Sequence, residues 1–445
     1  MTGKKLYLNT KPSKLFMRAA IPGGISMLAS SLYSVFDSIF VGKFLGTTAF
    51  AALGLAFPLI IINFALAELV GVGSSVPISI FLGQKEDDKA NNYFTGSILL
   101  IMLMGVISGT IIYFGAPGFM KLMGADGDLL SFSVKYTRIY AITSPITPLM
   151  FAFDNYLRIS GKVNTSMFIN IVASIGTIIL EFTFIKILHL GIEGAAFATC
   201  LSMIICVAVG VSLFIPGKLQ LKFVKPKFSL PMIKQIYKNG ISPFLTNIAG
   251  RIFSIVMNIL LLRFGGEAGV AVYGVIMTLA GIIEQILYGV VDSLQPALGY
   301  NYGARRFDRV KAIEKYVVIT GGAISVFGFF VMFFFAGQIS VPFIKDLSLL
   351  DMAVVAVRIS SVAYLYKWFG TVVQCFFMAL EKPMQAMTIS LASACVFPLM
   401  LVPILLPIKL SGLWLNFPLT GLFTTILAFV ILIRNKNKIF AVSAE

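Results

Sequence analysis

Histidine occurs once in 445 residues, cysteine four times and tryptophan twice, and only 12% of the chain is charged. A soluble protein of this length carries about a quarter of its residues as Asp, Glu, Lys and Arg, so a water-exposed fold is excluded. One histidine and scattered cysteines leave an intramembrane enzyme without its usual general base or nucleophile. Cys200, Cys206, Cys375 and Cys395 all lie inside apolar runs. They read as small buried hydrophobes, not as disulfides or zinc ligands. There is no G-x-x-x-x-G-K-[ST] phosphate loop and no attached soluble domain, which argues against direct ATP chemistry. Residues 1–14 are polar and basic, and the first apolar run is too long for the core of a cleavable signal peptide.

What the chain does have is 58% apolar residues, in runs long enough to cross a bilayer. Twelve spans are expected, at about 15–43, 49–82, 93–115, 132–157, 164–188, 193–215, 232–263, 268–302, 311–335, 352–379, 384–408 and 411–433. The expected fold is therefore an all-α integral membrane protein. The net charge of +16 sits in short segments between the apolar runs, which speaks against nucleic acid as a partner and for the lipid bilayer. With both termini on the cytoplasmic side, the inner segments hold 24 Lys and Arg and the outer ones 9. That bias places both ends inside.

The chain repeats itself. Pro22 and Asp37 meet Pro243 and Asn258 at a shift of 221 residues. One residue is then lost, and at a shift of 220 Phe44, Gly46 and Gly54 meet Phe264, Gly266 and Gly274. In the same register Gly83 and Asp88 meet Gly303 and Asp308, Arg138 meets Arg358, and Lys162 meets Lys382. Each unit holds six spans, an even number, so the repeats are parallel. The expected organisation is an N-lobe over 1–217, a cytoplasmic linker over 218–231 and a C-lobe over 232–445. Transporters built of two such halves bind cargo between them and alternate access by rocking.

Against this background Asp37 is conspicuous. It lies in "SLYSVFDSIFVGKFLG", within a stretch that is otherwise apolar or small from Ile21 to Gly42. A carboxylate at the centre of a membrane helix costs about 2.5–3.5 kcal/mol, so it is expected to serve ion coupling. Its repeat mate is Asn258, so only the first half holds the acid. In span five, "TIILEFTF" places Thr177 four residues before Glu181, on one helix face. In span six, "GIEGAAFAT" spaces Ala195 and Thr199 in the same way. Two carboxylates, two hydroxyls and a carbonyl would suit a hard cation. The same carboxylates could instead carry a proton.

These segments resemble the multidrug and toxic compound extrusion (MATE) family, in its bacterial DinF-like and MepA-like branch. The resemblance runs over nearly the whole chain. It is carried by "SLYSVFDSIFVGKFLG", "LGLAFPL" at 53–59, "LGQKEDDKA" at 82–90, "RISGKVN" at 158–164, "GIEGAAFAT" at 191–199 and "LQPALGYNYGARRFDRV" at 294–310. It implies an antiporter of the bacterial plasma membrane, coupled to H⁺ or Na⁺ and needing no other cofactor. Such a protein expels lipophilic, mostly cationic compounds and is expected to be a monomer. Asp37 matches the family's embedded acid of the first helix. Thr177 and Glu181 align with an Asn-x-x-x-Asp pattern in the fifth, with Thr for Asn and Glu for Asp. Ala195 and Thr199 match positions that complete the cation site, so a sodium ion would sit at Asp37, Glu181 and Thr199.

Candidates for the cargo cavity are Glu68, whose repeat mate is Tyr288, together with Met27, Tyr33, Met257, Met277, Glu284 and Tyr288. Glu284 and Asp292 lie near one face of span eight, and Lys367 of span ten is expected to neutralise one of them. Asp154 and Arg158 read as an ordinary pair four residues apart. The rival reading is a lipid-linked oligosaccharide flippase of the same superfamily. Its phosphate-bearing cargo calls for several basic residues in the spans, whereas Asp37, Glu68, Glu181, Glu284 and Asp292 stand against Arg251 and Lys367.

Overall fold

The computed structural model describes residues 3–344 and 347–440, except for the side chains at 32, 34–39, 42, 47, 347 and 436–440. Among the described residues the chain is mostly helical and holds no strand. Hydrocarbon offers no partner for a bare N–H or C=O, and a helix satisfies its backbone within one segment. In the first half the spans are 12–45 and 47–84, two parts of the run Pro12–Gln84 broken at Gly46. They are followed by Asp87–Leu122, by Gly127–Thr143 with Leu149–Ile159, by Val163–Glu181 continued through Phe182–Ile187, and by Gly191–Phe214. The second half repeats the order. Leu230–Asp292 breaks at Gly266 and is extended by Gln295–Gly303. Phe307–Phe334 comes next, then Leu350–Ser361 with Lys367–Ala379, a run from Pro383 to Ile408, and Lys409–Phe440. These are the twelve expected spans. Several run past their apolar windows, because polar end turns continue the helix. Large apolar side chains such as Phe114, Phe327 and Ile404 stay exposed, as lipid-facing residues do.

The repeat is visible in the backbone. Gly46 and Gly266, 220 residues apart, both break their helices with positive φ, at 85° and 60°. Only a residue without Cβ takes this turn without strain. Lys85 and Arg305 are a second pair of mates with positive φ, and Gly161 and Glu381 a third. Side chains agree. Arg138 Nε donates to the Tyr113 carbonyl at 3.3 Å, and its mate Arg358 donates to the carbonyl of Phe333, the mate of Tyr113, at 3.1 Å.

The packing units do not follow the cut of the chain into lobes. One unit comprises Met1–Thr10 with Ile25–Gly240, the other Lys11–Gly24 with Ile241–Glu445. Glycine contacts explain why. A Cβ on Gly23 would stand 2.2 Å from the Gly289 carbonyl oxygen, so the first turns of span one lie hard against the end of span eight. A Cβ on Gly73 would meet the Ile236 carbonyl at 2.2 Å, and one on Gly240 the Leu69 carbonyl at 1.7 Å. The start of span seven is thus seated on span two. The segment expected as a linker is also fastened to the first unit. Lys222 N donates to Asn91 Oδ1 at 2.8 Å, Val224 N to Thr95 Oγ1 at 3.1 Å and Lys227 N to Asn92 Oδ1 at 2.6 Å.

Gly240→Ala is expected to force these helices apart, because the obstacle is backbone and not a yielding side chain. The cost should be about 1–3 kcal/mol, the range for overpacking. A lowered melting point of the purified protein checks it. Gly250→Ala, with open space around its Cβ, is the control.

Candidate functional site

Spans five and six form a tight helical hairpin. Ser202 Oγ donates to the Ala173 carbonyl at 3.0 Å across it, and Ala173, Ala195, Ala196 and Ala198 are buried. Small residues of this kind let membrane helices approach closely. The hairpin brings Glu181 and Thr199 together, and Tyr33 of span one joins them. Tyr33 Oη and Thr199 Oγ1 lie 3.1 Å apart, and each hydroxyl donates to Glu181 Oε1 at 3.5 Å. Thr199 Oγ1 also reaches the Ala195 carbonyl at 3.3 Å. Glu181 is fully buried. All of these contacts are longer than the usual 2.7–2.8 Å of an O–H···O bond. The cluster is assembled but not drawn tight. Immediately after Glu181 the helix widens into the π-helical segment Phe182–Ile187, a distortion common at functional sites.

The structure brings together Glu181, Thr199 and the carbonyl of Ala195. It adds Tyr33, which the sequence placed in a cargo cavity. Thr177, also buried, directs its hydroxyl to the Ala173 carbonyl of its own helix at 2.8 Å. Asp37 lies in the same helix as Tyr33, four residues on, and its side chain falls outside the described residues. The donor set of carboxylate, two hydroxyls and a carbonyl is all oxygen and suits a hard cation. It belongs to the first half only. The stretch matching Thr177–Glu181 in the second half, at 397–401, reads "FPLML" and holds no acid.

At the other end of span five a buried polar network forms within the same unit. Arg158 Nη2 and Asp154 Oδ2 lie 2.6 Å apart. Asp154 Oδ1 accepts from the Ser166 hydroxyl and, at 2.7 Å, from Asn170 Nδ2. Asn170 Nδ2 also contacts Ser26 Oγ at 2.8 Å. The spacing of the pair is the expected one. Its surroundings are not those of a surface pair, for Arg158 is only 2% exposed.

The second unit contains a cavity of about 270 Å³. Of the candidate cargo residues, Met277, Glu284 and Tyr288 line it, while Met257 lies beside a smaller recess. Lys367 pairs with Glu284, which settles its choice between the two acids of span eight. Asp292 instead accepts from Gln295 Nε2 at 2.9 Å. Met27 and Glu68 are part-buried in helices of the first half.

Twelve spans in two parallel repeats, with an oxygen cluster buried in one of them, define a multi-pass membrane carrier. The MatE family model matches residues 22–183 and again 244–404, once in each half. The chain belongs to the MATE family and is a membrane transporter, not an enzyme. It is similar to the multidrug export protein MepA of Staphylococcus aureus (strain N315), at 26% identity over 377 residues, 83% of this chain and 82% of that protein. MepA of Staphylococcus saprophyticus matches with the same identity and coverage. Among solved structures, an outward-facing multidrug resistance MATE transporter of the MOP superfamily superposes with a TM-score of 0.93, at 24% identity, over 100% of this chain and 99% of that one. A MOP superfamily transporter from Pyrococcus furiosus, described as having a binding pocket of reversed polarity, gives 0.92 at 24% identity, over 100% and 99%.

Proposed function

We propose that the chain exports lipophilic organic cations in exchange for H⁺ or Na⁺, and that the ion is taken up at Glu181 with Tyr33, Thr199, the Ala195 carbonyl and Asp37. The observation that carries this reading is the buried Glu181 carboxylate, which accepts from the Tyr33 and Thr199 hydroxyls while Thr199 also reaches the Ala195 carbonyl, and which has no acid as its repeat mate. The MepA proteins it resembles are multidrug exporters, and Asp37, Glu68, Glu181, Glu284 and Asp292 set against Arg251 and Lys367 favour cationic cargo. Both termini are assigned to the cytoplasm by the 24-to-9 bias of Lys and Arg, and the working unit is a monomer in the bacterial membrane.

An ion can drive a conformational change only by binding one state better than another. The long contacts around Glu181 supply such a difference. A cation or proton arriving there would draw Tyr33 and Thr199 inward and pull spans one, five and six together. Each charge moving down the potential is worth about 2.3 kcal/mol per 100 mV. The test is efflux of ethidium from proteoliposomes under an imposed proton gradient or an imposed sodium gradient. One gradient alone should accelerate efflux and so name the ion. No response to either would overturn the proposal.

A further inference from the structure

The cavity of the second unit has a composition that its repeat mate lacks. In the first half the equivalents of Glu284 and Thr371 are Phe64 and Phe151, whose rings stack edge-to-face at 5.5 Å, so that half has neither the carboxylate nor the hydroxyl at these positions. The cavity of the second half measures about 270 Å³. Glu284 stands at its wall, paired with Lys367. The Lys367 ammonium also lies 4.4 Å above the ring of Phe417. A carboxylate beside an aromatic face is how proteins hold organic ammonium ions. Here the occupant is the protein's own lysine.

Two further observations mark the cavity as a binding site. The hydroxyls of Tyr364 and Ser325 line it, both buried, and neither has a hydrogen-bond partner among the described residues. Buried hydroxyls of this kind normally face a partner, so they await water or a ligand group. Lys367 also opens a new helix after a 45° bend between Leu350–Leu365 and Lys367–Ala379. Broken helices of transporters carry their ligand sites at such points. The ion pair is not sealed, for its side chains are 22% and 34% exposed. A pair in contact with solvent holds together weakly, and lysine has a long flexible stem that can swing aside.

We propose that this cavity is a receptor for the cationic head of an organic ligand, and that Lys367 is a tethered competitor occupying the seat between Glu284 and Phe417 until such a ligand displaces it. The proposal deepens the reading of cationic cargo and rests on it. It also gives Lys367 a purpose: by refilling the seat, the lysine opposes rebinding after the ligand leaves.

Ethidium binding to the purified full-length protein, read by fluorescence anisotropy, tests this. Removing the competitor with Lys367→Met should tighten binding by about tenfold, as the loss of a charged rival for one site implies. Adding Glu284→Gln to that variant should reverse the gain, and Phe417→Leu in the otherwise native chain should weaken binding. Lys367→Gln serves if the methionine variant does not fold. Unchanged or weaker ethidium binding on loss of Lys367 would overturn the proposal. So would a Lys367→Met variant that loses affinity for an anionic dye such as anilinonaphthalene sulfonate, since the lysine would then be an anion site. Gradient-driven efflux by the native protein separates the two readings. Efflux with no effect at Lys367 or Glu284 rejects the cavity and keeps the transporter. Absent efflux rejects cation export, while the binding series still decides the cavity.

Discussion

Glu181→Gln is expected to bring gradient-driven efflux down to the level of protein-free liposomes while leaving the fold intact. Glutamine keeps the length of the side chain and its carbonyl oxygen, so Tyr33 and Thr199, now 3.5 Å from Oε1, retain their acceptor. What is lost is the charge. A neutral amide can neither take up a proton nor balance a sodium ion, so the potential does no work through it. Glu181→Asp is the informative companion. It keeps the charge but withdraws it by one methylene from hydroxyls already at the limit of hydrogen bonding, so coupling should weaken without vanishing. Thr199→Val should fall between the two, because the carboxylate survives while one oxygen contact goes. Efflux of ethidium on each imposed gradient, with size-exclusion profiles as the control for folding, reads all three. Native-like efflux by Glu181→Gln would remove Glu181 from ion coupling.

Much of this site can be read from the chain because solvation physics isolates it. An acid in an apolar run is costly enough to need a reason, which singles out Asp37 and Glu181 without coordinates. Spacing by four places Thr177 with Glu181 and Ala195 with Thr199. The same rule joins Tyr33 to Asp37, yet a tyrosine in a membrane helix has many uses, and its contact with Glu181 depends on how span one meets spans five and six. Thr177 shows the opposite limit, since its own helix offers a carbonyl at 2.8 Å that no spacing rule weighs. The Lys367–Glu284 pair is foreseeable from opposite charges in neighbouring spans. The cavity around it is not, because empty volume leaves no mark on a sequence. The packing boundaries at 24/25 and 240/241 lie beside the close backbone approaches at Gly23 and Gly240. A glycine in a helix does not say which neighbour needs the room.

The second large effect is expected at Asp154. In sequence, Asp154 and Arg158 are indistinguishable from a surface pair four residues apart, worth a few tenths of a kcal/mol. In the fold the guanidinium is 2% exposed and the carboxylate accepts from Ser166 and Asn170 as well. The N-terminal segment Lys5–Asn9 closes over this end. The Tyr7 hydroxyl, fully buried, donates to the Arg158 carbonyl at 2.5 Å. Burial pushes that phenol well above its ordinary pKa, so it stays a donor at any physiological pH. Asp154→Ala would leave Arg158 charged in a site built around its counter-ion. Breaking a buried pair from one side costs about 3–5 kcal/mol, and the partial exposure of Asp154 puts the expected loss toward the lower figure. Native proteins are stable by about 5–15 kcal/mol, so the variant should lose much of its thermal margin. Removing both charges together, as Asp154→Leu with Arg158→Met, should restore most of it, because apolar replacement of the whole pair leaves nothing unpaired. Thermal melts of the single and double variants in one detergent measure the difference. A single variant as stable as the native chain would mean that water reaches Arg158. A double variant as unstable as the single one would mean that the hydrogen bonds to Ser166 and Asn170, not the charge pair, fasten span four to span five. Asn170 also touches Ser26 at 2.8 Å, so the network grips spans one and five, the same helices that carry Tyr33 and Glu181 toward their other ends. Loosening it should therefore blunt coupling even in protein that remains folded.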